Sequence, residues 1–281
     1  MPTTPAPSDR RAVFLDYDGT LAEQGVVPAA HVEAVRAVRE NGHAVLLSTG
    51  RCASIVAPEV LDLLDGAVCS AGAHVRVGDA LLRDERYPEA LGRRAVEVLT
   101  AHEVPFVLEA PDALLCTPAM AAWIRDRAEA LPPAAAGTVG GGTLDLARAV
   151  RLPEDLASCS FAKISLWRSP VAVEQLAAEI GEEIAALPSS MSRVDGSAGE
   201  LFLRHLDKAG GVQLAAEHLG LGMDATVGAG DGLNDLGMLR ATGTSIAIEG
   251  APASVLEAAD LVVPGPEEAG LALAFERLGL L

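Results

Sequence analysis

Two short apolar runs, Ala12-Val13-Phe14-Leu15 and Ala44-Val45-Leu46-Leu47, each end abruptly in a polar turn, and this pattern constrains the fold most strongly. An apolar run of that length closed by Asp, Gly, Ser or Thr reads as a strand buried on both faces, with the turn at its carboxyl end. The first run delivers Asp16-Tyr17-Asp18-Gly19-Thr20 and the second Ser48-Thr49-Gly50-Arg51. Between them Val32, Val35 and Val38 recur at helical spacing over 28–40, with Pro28 near the start and Asn41-Gly42 as a stop. Another helix-like stretch leads to Ala67-Val68-Cys69. This alternation predicts an α/β fold: a Rossmann-like parallel sheet with helices on both faces.

The alternation lapses in the middle and resumes near the end. Gly78-Asp79 reads as a hairpin turn between 73–77 and 80–83. Helical stretches at 89–102, 119–130 and 171–186 then mix with strand candidates at 104–108, 113–116 and 161–167. After Ser192 come strands at 201–203, 225–227, 245–248 and 261–263, with helices at 209–219, 235–241, 252–258 and 267–278. Both chain ends thus contribute to one sheet, with an α+β cap domain inserted. The expected division is a Pro/Thr-rich loose tail over 1–10, a core at 11–85 and 192–281, and a cap at 86–191. There is no internal repeat.

Charge narrows the partners. The chain carries 21 Lys plus Arg against 39 Asp plus Glu, a formal net charge of −18. Such a surface repels nucleic-acid backbones and anionic membranes, so neither is an expected partner. An anionic substrate then needs local positive charge, from a metal or a few placed cations. Cys52, Cys69, Cys116 and Cys159 are scattered without a CxxC pair, which suggests reduced thiols. No secretory leader is visible, and no apolar run approaches the roughly 20 residues that span a bilayer. The expectation is a cytoplasmic protein, monomer or homodimer.

In open parallel sheets, ligands bind at the carboxyl ends of the strands. There the sequence places Asp16, Asp18, Thr49, Lys208, Asp231, Asn234 and Asp235. Any one such turn is explained by Asp and Gly being good turn formers. The convergence of four turns on one edge is what points to chemistry.

These turns resemble the motifs of the haloacid dehalogenase-like superfamily. Asp16-Tyr17-Asp18-Gly19-Thr20-Leu21 is similar to its first motif and Ser48-Thr49-Gly50-Arg51 to its second. Lys208 matches the third, and Gly230-Asp231-Gly232-Leu233-Asn234-Asp235 the fourth. The likeness extends from Val13 to about Leu278, and the insert resembles the C2 cap of the Cof-like, type IIB branch. The resemblance implies a Mg2+-dependent phosphomonoester phosphatase with a small-molecule substrate. Asp16 would attack phosphorus, since a carboxylate forms an acyl phosphate that water cleaves. Asp18 would protonate the leaving alkoxide and then activate water. The Asp16 and Asp231 carboxylates and the Asp18 carbonyl would hold Mg2+, with Asp235 behind them, acting through water or by holding Lys208. Thr49 and Lys208 would grip the transferring oxygens, with Gly50, Arg51 and Asn234 as further phosphate or substrate contacts. Arg51 has two readings, an anion contact or a brace for its turn.

Departures from the branch bear on the substrate. Ala71-Gly72 stands where Asn-Gly is usual, Lys208 is followed by Ala209-Gly210, and Gly250-Ala251 replaces Asn-Ala. Gly140-Gly141-Gly142 lacks the lysine of a phosphate cradle and reads as a flexible cap loop. Lys163 reads as part of a solvated strand face, with a reach toward substrate as the alternative. Trp123 and Trp167 read as packing residues, Glu200 as structural, and the six histidines show no metal-like spacing. A phosphomutase uses the same nucleophile and remains open. A non-catalytic scaffold would be expected to have lost Asp16, Asp18 or Asp231. The substrate itself is not identified.

Overall fold

The structure is a computed structural model that describes residues 10–129, 137–188 and 197–281. The expected tail, apart from Arg10, and the expected boundary at 191 and 192 lie outside the described residues. The strands are β1 (Ala12–Leu15), β2 (Ala44–Ser48), β3 (Gly66–Cys69), β4 (His74–Val77), β5 (Ala80–Asp84), β6 (Phe106–Ala110), β7 (Ala113–Leu115), β8 (Val150–Arg151), β9 (Lys163–Ser169), β10 (Ile184–Pro188), β11 (Ser197–Leu203), β12 (Thr226–Gly230), β13 (Thr244–Ile248) and β14 (Leu261–Val263). One sheet has the order β14-β13-β12-β1-β2-β3-β4-β5. It is parallel from β14 to β3, and the β4–β5 hairpin extends it antiparallel.

The apolar runs form central strands because both of their faces are covered. Val13 and Leu15 point to a layer containing Val32, Val35, Leu271 and Phe275, from helices Ala29–Glu40 and Gly270–Arg277. Ala12 and Phe14 point the other way, to Val212, Ala215 and Met238 from helices Lys208–His218 and Leu236–Ala241. The chain leaves β1 toward β2 on one side and pairs with β12 on the other, so a switch point lies at β1. The turns after β1 and β12 are therefore neighbours, and the Asp16 amide donates to the Ala229 carbonyl at 2.9 Å.

The insert forms a second sheet, ordered β10-β11-β9-β6-β7-β8 and antiparallel except for β7–β8. Helices Glu89–Ala101 and Val173–Ile180 pack on it through Ala95, Leu99, Leu176 and Ile180. Helices Pro118–Glu129 and Thr143–Ala149 form another layer, which encloses Cys52 and Ile55 from the core. The α/β core with an inserted α+β cap is thus as the alternation predicts.

Two local expectations fail, and two further elements appear. The 201–203 strand belongs to the cap sheet, where β11 lies between β10 and β9, so the cap extends past residue 192 to Leu203. The predicted helix at 171–186 ends at Ile180, and Ile184–Pro188 becomes β10, because pairing with β11 overrides the helix propensity of its alanines. Helix Thr143–Ala149 and β8 were not expected at all.

Cap and core meet through main chain as well as side chains. Val27 and Val139 exchange two backbone hydrogen bonds, at 2.7 and 3.1 Å, so the 137–142 loop is docked on the core. The Ser54 hydroxyl donates to the Ala110 carbonyl at 3.0 Å. All four cysteines are free, and three are buried. No described helix is long and apolar enough to cross a membrane.

Candidate active site

The site is assembled at the carboxyl ends of β1, β2 and β12. Asp16 follows β1 and is 7% exposed. Lys208 opens its helix, with Asp207 as the N-cap accepting from the Gly210 amide at 2.7 Å. That cap fixes the first turn and sends the Lys208 side chain inward. Its ammonium lies 2.6 Å from Asp16 Oδ1 and 2.6 Å from Asp235 Oδ1. Asp235 is fully buried, and its other oxygen accepts from the amides of Asp231 at 3.2 Å and Gly232 at 2.9 Å. Asp235 thus holds both the lysine and the turn that carries Asp231.

Asp231 is oriented from the first motif. The Thr20 hydroxyl donates to its Oδ1 at 2.9 Å. Gly19 has φ +82°, and a Cβ there would lie 2.6 Å from Asp231 Oδ2, so the two motifs touch where only glycine fits. Among the described residues, Asp16, Asp231 and Asp235 each place a carboxylate oxygen within 4.8 Å of the others. Burial, reinforced by Asp235, pushes the Asp16 carboxyl well above its ordinary range, with Lys208 opposing. Burial also raises Asp231, while its Thr20 hydrogen bond works against the rise. Burial disfavours the Lys208 ammonium, but Asp16 and Asp235 outweigh it and hold the amine charged. Three hard carboxylates around one ammonium leave excess negative charge, a donor set that fits a divalent cation.

The second motif forms the opposite wall. Thr49 is buried, its amide donates to the Val68 carbonyl at 2.8 Å, and its hydroxyl accepts from the Arg51 amide at 3.1 Å. The Arg51 guanidinium grips Asp18 at two points, stacks 4.8 Å above the Tyr17 ring and reaches the Ile55 carbonyl at 3.3 Å. Burial opposes its charge, yet Asp18 holds it above the ordinary arginine value. The guanidinium thus ties the second-motif turn to Asp18 of the first motif. The Asp18 carboxylate is therefore not among the three that gather.

The expectation of a solvated Lys163 is wrong. On β9 it is 2% exposed, donating to the Gly50 carbonyl at 2.5 Å and Glu200 Oε1 at 2.8 Å, with Glu109 Oε2 at 3.3 Å. Sequence reasoning gave Glu109 no role and Glu200 only a structural one. Nothing short of their pairing across β6, β9 and β11 would have revealed the cluster. Within the first motif, Tyr17 and Thr20 also have tasks that sequence does not disclose: Tyr17 carries Arg51 and donates to the Gly25 carbonyl at 2.9 Å, and Thr20 orients Asp231. Trp123 and Trp167 pack together, ring centroids 5.8 Å apart. A cavity of about 680 Å³ opens beside the carboxylates, bounded by Gly19, Asp231 and Asn234 from the core and by Leu187, Pro188 and Glu200 from the cap.

A switch-point sheet that gathers three carboxylates around a buried lysine, beneath an inserted cap, defines a capped α/β protein of Rossmann-like architecture. The chain belongs to the haloacid dehalogenase-like hydrolase family, whose signature matches residues 13–275. It is 25% identical over 280 residues to the Bacillus subtilis protein YkrA, provisionally named a phosphatase, covering 97% of this chain and 99% of that one. Among solved structures, the subclass IIB sugar phosphatase BT4131 superposes with a TM-score of 0.73 at 20% identity, covering 96% of this chain and 100% of the other. The phosphatase BT1666 from Bacteroides thetaiotaomicron gives 0.73 at 22% identity, covering 99% of each chain. The fold is that of the type IIB branch.

Proposed function

We propose that this protein is a magnesium-dependent phosphomonoester hydrolase that acts on a small phosphorylated metabolite through an aspartyl-phosphate intermediate. The observation that carries this reading is the Lys208 ammonium held 2.6 Å from both Asp16 and Asp235, with Asp231 beside them. Asp16 attacks phosphorus, and the bond to the alkoxide oxygen breaks as the Asp16–phosphorus bond forms. Asp18, once it loosens its fork with Arg51 and takes up a proton from solvent, gives that proton to the leaving oxygen, then takes one from the water that cleaves the acyl phosphate and frees Asp16. The Thr49 hydroxyl and the Lys208 ammonium receive the charge that spreads over the equatorial oxygens, with Gly50 and Asn234 nearby as phosphate contacts. Asp16, Asp231 and the Asp18 carbonyl would hold Mg2+, which supplies neutralising charge to a phosphate dianion approaching a carboxylate. The names of YkrA and of the sugar phosphatase support a small phosphate ester as substrate. The free cysteines suit a reducing cytoplasm, the location we assign.

Phosphate release from a panel of phosphomonoesters, with and without Mg2+, tests this. Wild type should turn over at least one ester only with metal, and Asp16→Asn should be folded and inactive. Retention of a tenth of wild-type rate by Asp16→Asn sinks the nucleophile assignment. Isomerisation of a bisphosphorylated sugar without phosphate release would replace the hydrolase with a mutase.

A further inference from the structure

The phosphate grip comes from the core and is common to every phosphomonoester, so it cannot distinguish one leaving alcohol from another. The cavity beside it has a cap wall formed, among the described residues, by Leu187, Pro188 and Glu200. Leu187 and Pro188 offer apolar side chains, so among the described residues Glu200 is the charged side chain that the cap turns to the cavity. We propose that Glu200 reads the leaving alcohol, and that it selects alcohols carrying a hydroxyl donor, as in polyol monophosphates, over those that offer none. This rests on the phosphatase reading above.

Geometry supports the assignment. Glu200 lies on β11, its side chain 32% exposed, and its Oε1 accepts from Lys163. Its Oε2 lies 3.7 Å from the position of a Cβ on Gly50, and Asn234 Nδ2 lies 3.9 Å from that same point. The carboxylate and the amide therefore flank the Thr49-Gly50 turn, where the cavity meets the phosphate grip. An ionised carboxylate is acceptor-only, so it rewards a hydroxyl and penalises a second anion placed against it.

Lys163 is the positioning residue for this contact. An ammonium has three donors, and Gly50, Glu200 and Glu109 are all within its reach. Two of those donors are used, on Gly50 and Glu200, so the ammonium holds Glu200 in place and ties the cap sheet to the motif-two turn, with Glu109 Oε2 adding charge at 3.3 Å. Glu109, 3% exposed on β6, completes the support from behind and receives the Ser165 hydroxyl.

The test is steady-state kinetics of the full-length Mg2+ enzyme on a panel of hexose and alditol monophosphates, with p-nitrophenyl phosphate as an ester whose leaving group has no hydroxyl. Glu200→Gln should lower kcat/KM for the best polyol phosphate by about ten- to a hundredfold, and for p-nitrophenyl phosphate by no more than about twofold. Lys163→Met should lower kcat/KM for the polyol phosphate at least as much as Glu200→Gln, with an added loss on p-nitrophenyl phosphate from the freed Gly50 turn, and Lys163→Arg should restore part of both. A wild type that cleaves p-nitrophenyl phosphate but no polyol phosphate overturns this inference alone. So does an equal loss on both substrates in Glu200→Gln at an unchanged melting temperature. A wild type inactive on every ester overturns the phosphatase reading, and this inference with it.

Discussion

Arg51 and Asp18 meet fork to fork: Arg51 Nε donates to Oδ2 at 2.6 Å and Nη2 to Oδ1 at 2.7 Å. Two parallel bonds fix the plane of a carboxylate as one cannot, and lysine has no equivalent fork. With Asp18 as acid and base, Arg51→Lys should slow esters with poor leaving groups about tenfold or more. Esters of p-nitrophenol, which leaves without a proton, should be affected far less. Comparing kcat for the two ester types checks this; equal losses would place Arg51 on the substrate instead.

Removing Lys208 strands buried carboxylates. Lys208→Met takes away the ammonium from Asp16 and Asp235, and breaking a buried pair in this way costs about 3–5 kcal/mol. Activity should fall by about a hundredfold or more, since the proposed donor to the transferring oxygens is lost too. Adding Asp16→Asn should recover stability but not activity. Denaturant melts of the single and double variants read the difference.

Gly19 is a pressure point for the proposed metal site. Gly19→Ala forces a side chain to φ +82° and drives a methyl against Asp231, displacing it from Thr20. The backbone term alone is about 1–3 kcal/mol. Binding of Mg2+, followed by calorimetry, should weaken by about tenfold while the far-ultraviolet spectrum stays unchanged.

His31 makes the core acid-sensitive. Its Nδ1 donates to the Leu21 carbonyl at 2.9 Å, and its Nε2 accepts from the Leu271 amide at 3.2 Å, a pattern only the neutral ring can make. Burial lowers its folded pKa below the ordinary 6.5. The unfolded chain then binds the extra proton first, so this stability is full above about pH 6.5 and is lost as pH falls toward the folded value. His43 is lowered as well, and titrates in the same sense. Melting temperature should drop from pH 7 to pH 5, and His31→Leu should be less stable throughout but flatter. An unchanged slope would rule His31 out.

The central strands and the four motif turns were legible because their signals are local. Asp16 ends an apolar run, and Thr49 ends another; whatever the packing, a parallel sheet brings such ends together. Leu201-Phe202-Leu203 is as apolar as a core strand, but its membership depends on partners far along the chain, Ile164 and Ala186 among them. Lys163 failed for the same reason. A lysine within an alternating strand reads as solvated until Glu109 and Glu200 arrive on either side of it. Ile184-Ala185-Ala186 favours a helix in isolation and becomes a strand only because β11 offers an edge.

The clasp between Val27 and Val139 is made by main-chain atoms alone, so side-chain replacement at either valine leaves its donors and acceptors in place. The residues without that latitude are the neighbouring glycines. Gly140 and Gly142 have positive φ, and a Cβ on them would fall 2.4 Å from the Gly25 carbonyl oxygen and 2.5 Å from that of Gln24. The cap surface over the cavity can therefore drift in sequence while the cap keeps the same seat on the core.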